Sequence, residues 1–202
     1  MQQREAVAQE RHRIAMDLHD DLGAELSSLL LLTRLERERP GHGGMERIEQ
    51  LAGTLTDKVK EVIWNTDPGH DTLEATLSFI QRHLSTVCGR HGLAARTVFA
   101  PGLPPLTLSA GLRRELYLIA KEAVNNAVKH SGATTFTFGA RLQAGQLELT
   151  FSDDGHGGAI RDAEGVGHGL RNIAGRAATV GAVVGVADVR PHGTRITLRI
   201  AV

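Results

Sequence analysis

The chain has 202 residues, enough for one ordinary domain or two small ones with real cores. Acidic and basic residues balance at 23 each, which excludes the overall basic charge of a general nucleic-acid binder. A single cysteine, Cys88, excludes an internal disulfide framework and a cysteine-rich zinc site, and suits a reducing compartment. There is no signal peptide, and the longest apolar run, near Leu29 to Leu32, is far too short to span a bilayer, so a cytoplasmic location without membrane contact is expected. The abrupt start in charged helix reads as a piece of a longer protein.

Residues 1 to about 38 read as one long helix that ends where proline and glycines break the pattern in RERPGHGG. At about 100° per residue, Ala15, Leu18, Leu22, Leu26 and Leu29 fall on one stripe, and His19 sits at its border. Ala15, Met16, Leu22 and Gly23, three and four positions away, leave the imidazole uncovered on that face. A second helix starts near Met45, with Ile48, Leu51, Leu55, Val59, Val62 and Ile63 at three- and four-residue steps, and stops before Asp67-Pro68. The two make an antiparallel hairpin whose apolar stripes are wider than one partner covers, and a homodimeric four-helix bundle completes it most simply. The domain boundary is expected there, giving 1–67 as the hairpin and 68–202 as a second domain.

After the boundary, Asp71 or Thr72 can cap a helix carrying Leu73, Leu77, Ile80, Leu84 and Val87, ending near Gly89. LAARTVFA reads as a strand, PGLPPL as a loop and residues 109 to 130 as a long helix. TFTFGARLQ and LELTFSDDG are β-rich runs split by Ala144-Gly145-Gln146, a hairpin signal. A helix from about Gly169 to Val180 and two last strands, joined at Arg190-Pro191-His192-Gly193, complete an α/β sandwich with a mostly antiparallel sheet.

Three stretches of this second domain carry candidate chemistry. In KEAVNNAVKH, Glu122, Asn126 and Lys129 share a helical face at steps of four and three, with His130 next, while Val124 and Ala127 turn toward the core. A carboxylate, an amide oxygen and an ammonium on one face suit a magnesium-bound polyphosphate, and for this segment alone a solvated polar face fits as well. Next, the strand LELTFS runs into Asp153-Asp154-Gly155-His156-Gly157, where a fixed carboxylate can accept a hydrogen bond from an exocyclic amine such as adenine's. The glycines beside it let another group approach the backbone, and a plain aspartate-glycine turn remains open. Finally, Gly165-Val166-Gly167-His168-Gly169-Leu170 opens a helix whose free amides and dipole favour phosphate. As a dinucleotide fingerprint it fails, because its third glycine is one place early and no parallel βαβ unit surrounds it.

In this order the three stretches resemble the ATP-binding domain shared by sensor histidine kinases and related ATPases: an asparagine box, a first glycine box, a second glycine box and a closing Gly193-Thr194 segment. Asp17-Leu18-His19-Asp20 resembles the DLHD box of the histidine kinase subfamily that pairs with response regulators bearing helix-turn-helix outputs, and WNTDPGHDTLE, residues 64–74, resembles the linker of that subfamily. The resemblance implies His19 as phosphoacceptor and Asp20 as the acidic neighbour that orients or deprotonates it. It implies Asn126 as a Mg2+ ligand with Glu122 polarising that site, and Lys129 and His130 facing phosphates. Asp153 would hold adenine, with Gly155, Gly157, Gly167, Gly169, Leu170 and Thr194 lining ATP. Only about ten residues separate the glycine boxes, so any lid over the nucleotide must be short.

The chain departs from the pattern at Ala24. Many relatives carry a glutamine there, five residues after the histidine, thought to position water for dephosphorylating the regulator; alanine cannot orient water, so weak phosphatase activity is expected unless Glu25 substitutes. Trp64 is expected to pack at the junction of the two domains, Cys88 in the core, and His12 as a solvated neighbour of His19.

The expected activity is ATP-dependent autophosphorylation on His19 and transfer to an aspartate of a response regulator receiver domain, by a homodimer with no direct nucleic-acid contact. The resemblance leaves a membrane-anchored full-length protein open. The rivals are a conformational ATPase of the same superfamily, against which the DLHD box argues, and a catalytically silent nucleotide-binding dimer that scaffolds a regulator.

Overall fold

The structure, a computed structural model, describes residues 26–36, 44–66, 71–157 and 168–202. His12, His19, Asp20, Ala24, Glu25 and Gly167 lie outside the described residues, as does Asp67-Pro68. The chain divides into two compact units, Met1–Gly69 and His70–Val202.

In the first unit, residues 26–36 form helix α1 and Gly44–Thr66 form α2. Leu55 and Trp64 are buried. Leu30, Leu31, Met45 and Ile63 each remain more than half exposed. Among the described residues, no helix is long and apolar enough to cross a membrane.

The second unit is a two-layer sandwich. Thr72 caps helix α3 (Leu73–Arg90) by accepting a hydrogen bond from the Ala75 amide at 3.1 Å. Asp71, the other cap candidate, is used elsewhere: its carboxylate meets Arg113 at 2.6 Å, and Arg113 is only 2% exposed. A guanidinium so enclosed needs a charged partner, whereas a cap needs only a hydroxyl. Strand β1 (Ala94–Phe99) follows, then helix α4 (Ala110–Asn126), capped by Ser109 on the Leu112 amide. The helical path continues through Ala127–Ser131, but as a π-helical turn, and ends at Gly132 in the left-handed region. The sequence reading of one regular helix to residue 130 therefore holds in extent and fails in pitch over its last turn.

Strands β2 (Thr135–Gln143) and β3 (Gln146–Asp153) form a hairpin. Its two-residue turn has positive φ at both Ala144 and Gly145, the geometry that matches strand twist. Helix α5 (His168–Thr179) and strands β4 (Val183–Asp188) and β5 (Thr194–Ala201) close the unit. The sheet order is β1-β2-β3-β5-β4, with β1 parallel to β2 and every other pair antiparallel. Alternation sends Phe136, Phe138, Leu147, Leu149, Phe151, Ile196 and Leu198 to the buried face, where α3, α4 and α5 supply Leu77, Ile80, Leu116, Ile119, Val124 and Ile173. Phe138 stacks on Phe151 with ring centroids 5.2 Å apart and Phe99 meets Phe138 edge-on at 5.3 Å, adding about 1 kcal/mol per pair to the burial itself. Cys88 is fully buried in this core, which pushes its thiol pKa up.

The opposite face is polar. On it Glu148 accepts from Arg141 at 2.7 Å and from Arg199 at 2.9 Å across three adjacent strands. Burial alone would raise the Glu148 pKa, and the two guanidiniums together bring it below its ordinary value.

Candidate nucleotide site

The candidate residues gather where α4, the β3 end, the start of α5 and the start of β5 meet. The parts are held together by glycines, because at each junction a side chain would collide with the chain's own backbone or with a site residue. A Cβ on Gly169, in the first turn of α5, would lie 2.5 Å from Glu122 Oε1 and 2.6 Å from Asn126 Oδ1. The second glycine box thus sits directly on two side chains of the asparagine box, one helical turn apart on α4. Both side chains are half-buried, and their oxygens face the N-terminal end of a helix, where amides lack intrahelical partners.

The first glycine box is tied to the π turn that follows this same C-terminal end of α4. Gly155 packs against the Ser131 main chain so closely that a Cβ would overlap it, and the His156 amide donates to the Ser131 carbonyl at 3.0 Å. Ser131 is itself fixed, its hydroxyl donating to Ala127 O at 2.7 Å and accepting from the Ala133 amide at 3.1 Å. Gly193, at φ +121° where an L side chain is strained, lies against the Asp153 carbonyl, and a Cβ on Gly157 would lie 2.9 Å from Gly193 O. At Gly155, Gly157 and Gly193 the group that approaches the backbone is the chain itself.

These contacts fix two carboxylates of opposite character on one strand end. Asp153 is half-buried; its Oδ1 accepts from the Gly155 amide at 2.9 Å. Burial raises its pKa against the amides of Gly155 and Thr194, which favour the charged form. Its neighbour Asp154 is exposed and accepts from the Thr134 amide, the Thr134 hydroxyl and the Thr135 amide, all at 2.8 Å. Burial opposes its ionisation too, but the hydrogen bonds from Thr135 and Thr134 outweigh it and hold the pKa at about 2. Asp154 therefore anchors the start of β2 beside β3, while Asp153 is held by the amides of Gly155 and Thr194. Sequence reasoning singled out neither Asp154 nor Ser131 as an anchor, because their partners are set by folding rather than by spacing.

The structure thus brings Glu122, Asn126 and Gly169 together at α4, and separately Asp153, Gly155, Gly157 and Thr194 beside the π turn that follows it. Lys129 and His130 lie exposed on the π turn. The four-plus-three step that aligned Lys129 with Glu122 and Asn126 assumes α pitch throughout, and the π turn removes that assumption for Lys129. Leu170 is half-buried beside Gly169.

Comparisons with known proteins agree with this arrangement. Residues 111–202 match the family described as histidine kinase-, DNA gyrase B- and HSP90-like ATPase, and residues 10–69 match a family described as histidine kinase. The sensor histidine kinase LiaS of Bacillus subtilis (strain 168) is 23% identical over 97% of this chain and 55% of its own length. The signal transduction histidine-protein kinase/phosphatase UhpB of Salmonella typhimurium is 25% identical over 93% of this chain and 38% of its own. The chain spans about half the length of the curated relatives it matches. Among solved structures, the histidine kinase domain of the Erythrobacter litoralis EL346 blue-light activated histidine kinase aligns with a TM-score of 0.56 at 15% identity, covering 98% of this chain and 94% of that one. Full-length ShkA in complex with AMPPNP aligns at 0.59 and 18% identity, covering 94% and 45%. These likenesses speak for the fold, a helical region followed by an α/β domain of mixed sheet. With a histidine kinase module and an ATPase module in series, and alignment along almost its whole length to named sensor kinases, the chain belongs to the sensor histidine kinases of two-component signalling.

Proposed function

We propose that residues 68–202 bind ATP and transfer its γ-phosphoryl group to His19 of the hairpin, residues 1–67, from which it passes to an aspartate of a response regulator receiver domain. The observation that carries this reading is the convergence of Glu122 and Asn126 oxygens on the first turn of α5 at Gly169, two separate motifs meeting at an anion-favouring helix end. The ATPase family match supports ATP as the nucleotide.

The donor set also fits Mg2+. Among the described residues no group of three or more His, Cys, Asp or Glu side chains gathers into a metal cage. A pair of hard oxygen donors suits a cation that takes its remaining ligands from water and phosphates. Asn126 and Glu122 would hold it, and it would neutralise the triphosphate. In the same reading Lys129 and His130 face the phosphates, the Asp153 carboxylate accepts the adenine amine, and Gly155, Gly157, Gly167, Gly169, Leu170 and Thr194 line the nucleotide.

The chemistry on the acceptor is simple. An unperturbed imidazole is mostly neutral at pH 7, and Asp20 holds the proton on one ring nitrogen so that the other offers its lone pair. The N–P bond forms as the bond from the γ-phosphorus to the bridging oxygen breaks, and ADP leaves; the demand on the protein is positioning and charge neutralisation. The exposed Leu30, Leu31, Met45 and Ile63 support a homodimeric four-helix bundle as the form that acts. Incubation with γ-labelled ATP and magnesium tests the assignment: acid-labile, alkali-stable label is expected in wild type and absent in His19→Ala. Label retained in the variant refutes His19 as acceptor. ATP binding without label in wild type points instead to a silent scaffold.

A further inference from the structure

The first turn of α5 reaches Glu122 and Asn126 only if α5 stands at one particular axial position along α4. Gly169 lies against Glu122. Seven residues further along α5, Arg176 Nη1 meets Glu115 Oε2 at 3.1 Å, and Glu115 lies seven residues before Glu122 on α4. The two helices therefore run antiparallel, close at Gly169 and bonded at Arg176, two points about two turns, or roughly 10 Å, apart on each. Gly169, Ile173 and Arg176 follow each other at steps of four and three on one face of α5, as Glu115, Ile119 and Glu122 do on one face of α4. Between these two points, Ile173 and Ile119 are fully buried. Apolar burial is non-directional and presses the helices together without fixing how far one slides along the other. Arg176 is 39% and Glu115 19% exposed, so the pair contributes little to folding, and its geometric effect on register is the larger one.

We propose that Glu115 and Arg176 are positioning residues for the nucleotide phosphates: their ion pair sets the axial register of α5 on α4 and with it the separation between the first-turn amides of α5 and the Glu122–Asn126 oxygens. This rests on the reading of that junction as the triphosphate end of an ATP site. A purely structural staple would change stability and leave ligand preference alone. A register pin weakens ATP, whose β- and γ-phosphates use the junction, and spares AMP, which lacks them and is recognised through its base.

The test is titration of the full chain with Mg-ATP and with AMP, for wild type, Glu115→Gln, Arg176→Gln, Arg176→Lys and the swap Glu115→Arg with Arg176→Glu. Each glutamine variant is expected to weaken ATP about fivefold, as for a partly exposed ion pair coupled to a binding site. AMP affinity should stay as in wild type, and Arg176→Lys and the swap should bind ATP within about twofold of wild type. Unchanged ATP affinity in both glutamine variants overturns the proposal, as does equal weakening of ATP and AMP, or a swap that melts normally and fails to recover ATP. Failure of the underlying reading is distinct: Asn126→Ala would then bind ATP as tightly as wild type in the same titration.

Discussion

Substituting Gly169 with alanine separates the site from the fold. The added methyl would lie 2.5 Å from Glu122 Oε1 and 2.6 Å from Asn126 Oδ1, against 3.4 Å for ordinary contact, so both oxygens must withdraw by about 0.9 Å. They are the ends of flexible side chains, and α5 itself has no reason to move. Alanine also improves on glycine by up to about 1 kcal/mol within a helix, less in its first turn. Stability should therefore hold or rise slightly. A displacement near 1 Å in a phosphoryl-transfer site, however, costs on the order of a hundredfold in rate. Autophosphorylation with labelled ATP should fall by ten- to a hundredfold, roughly, while thermal unfolding of the nucleotide-free chain is unchanged or later. Gly175→Ala is the control, since a Cβ there meets nothing within 4 Å on the same helix. It should share the stability and keep the rate. A Gly169→Ala chain that phosphorylates at the wild-type rate would refute the role given to the Glu122–Asn126 junction.

Asp153→Asn should abolish ATP binding in titration while leaving the nucleotide-free chain at least as stable as wild type at neutral pH. The sign follows from burial: a raised carboxyl pKa makes ionisation oppose folding, so the benefit is full at low pH and is lost as pH rises through the raised value, and asparagine removes that loss. Asp154 runs the other way. With its pKa held at about 2, its contribution is full above the ordinary carboxylate range and disappears as pH falls toward that value, so Asp154→Asn should flatten the acid-side decline of the melting temperature. An equally steep decline in the variant would assign the acid sensitivity elsewhere. Ala24→Gln should speed the loss of label from purified phospho-regulator in the presence of ADP; fast loss with the wild-type chain would show that the alanine does not limit dephosphorylation.

Local chemistry made most of the elements legible. Ser109 and Thr72 announce helix starts by offering a side-chain acceptor, Gly145 announces a turn, and the alternation in TFTFGARLQ shows which residues of β2 face the core. What stayed hidden depends on partners distant in sequence. The parallel pairing of β1 with β2 joins Ala94 to Thr135 across an intervening helix, and no local pattern specifies it. Whether Asp71 or Thr72 caps α3 was decided by Arg113, forty residues on, whose burial claims the carboxylate. The π turn at Ala127–Ser131 carries residues that suit an α-helix, so composition gives no warning of it. In the site, the residue types were readable, since each motif has its own chemistry, whereas the segments that meet at Gly155, Gly157 and Gly193 are distant in sequence and no spacing announces them.

These junctions give the glycine boxes a structural task besides any contact with nucleotide. Gly193 against Asp153, and Gly155 against Ser131, join segments that carry the candidate site to one another before any ligand enters. A close backbone junction orients the Asp153 carboxylate through the amides of Gly155 and Thr194, and the first turn of α5 lies against the Glu122 and Asn126 side chains at Gly169. The residues that would touch ATP are thus held by contacts that do not involve it, which lowers the ordering cost when the nucleotide binds. Substitutions at these glycines should then divide by what the new methyl meets. Where it meets side-chain ends, as at Gly169, function is lost and folding kept; where it meets main chain, as at Gly193 with its positive φ, the fold itself must give way.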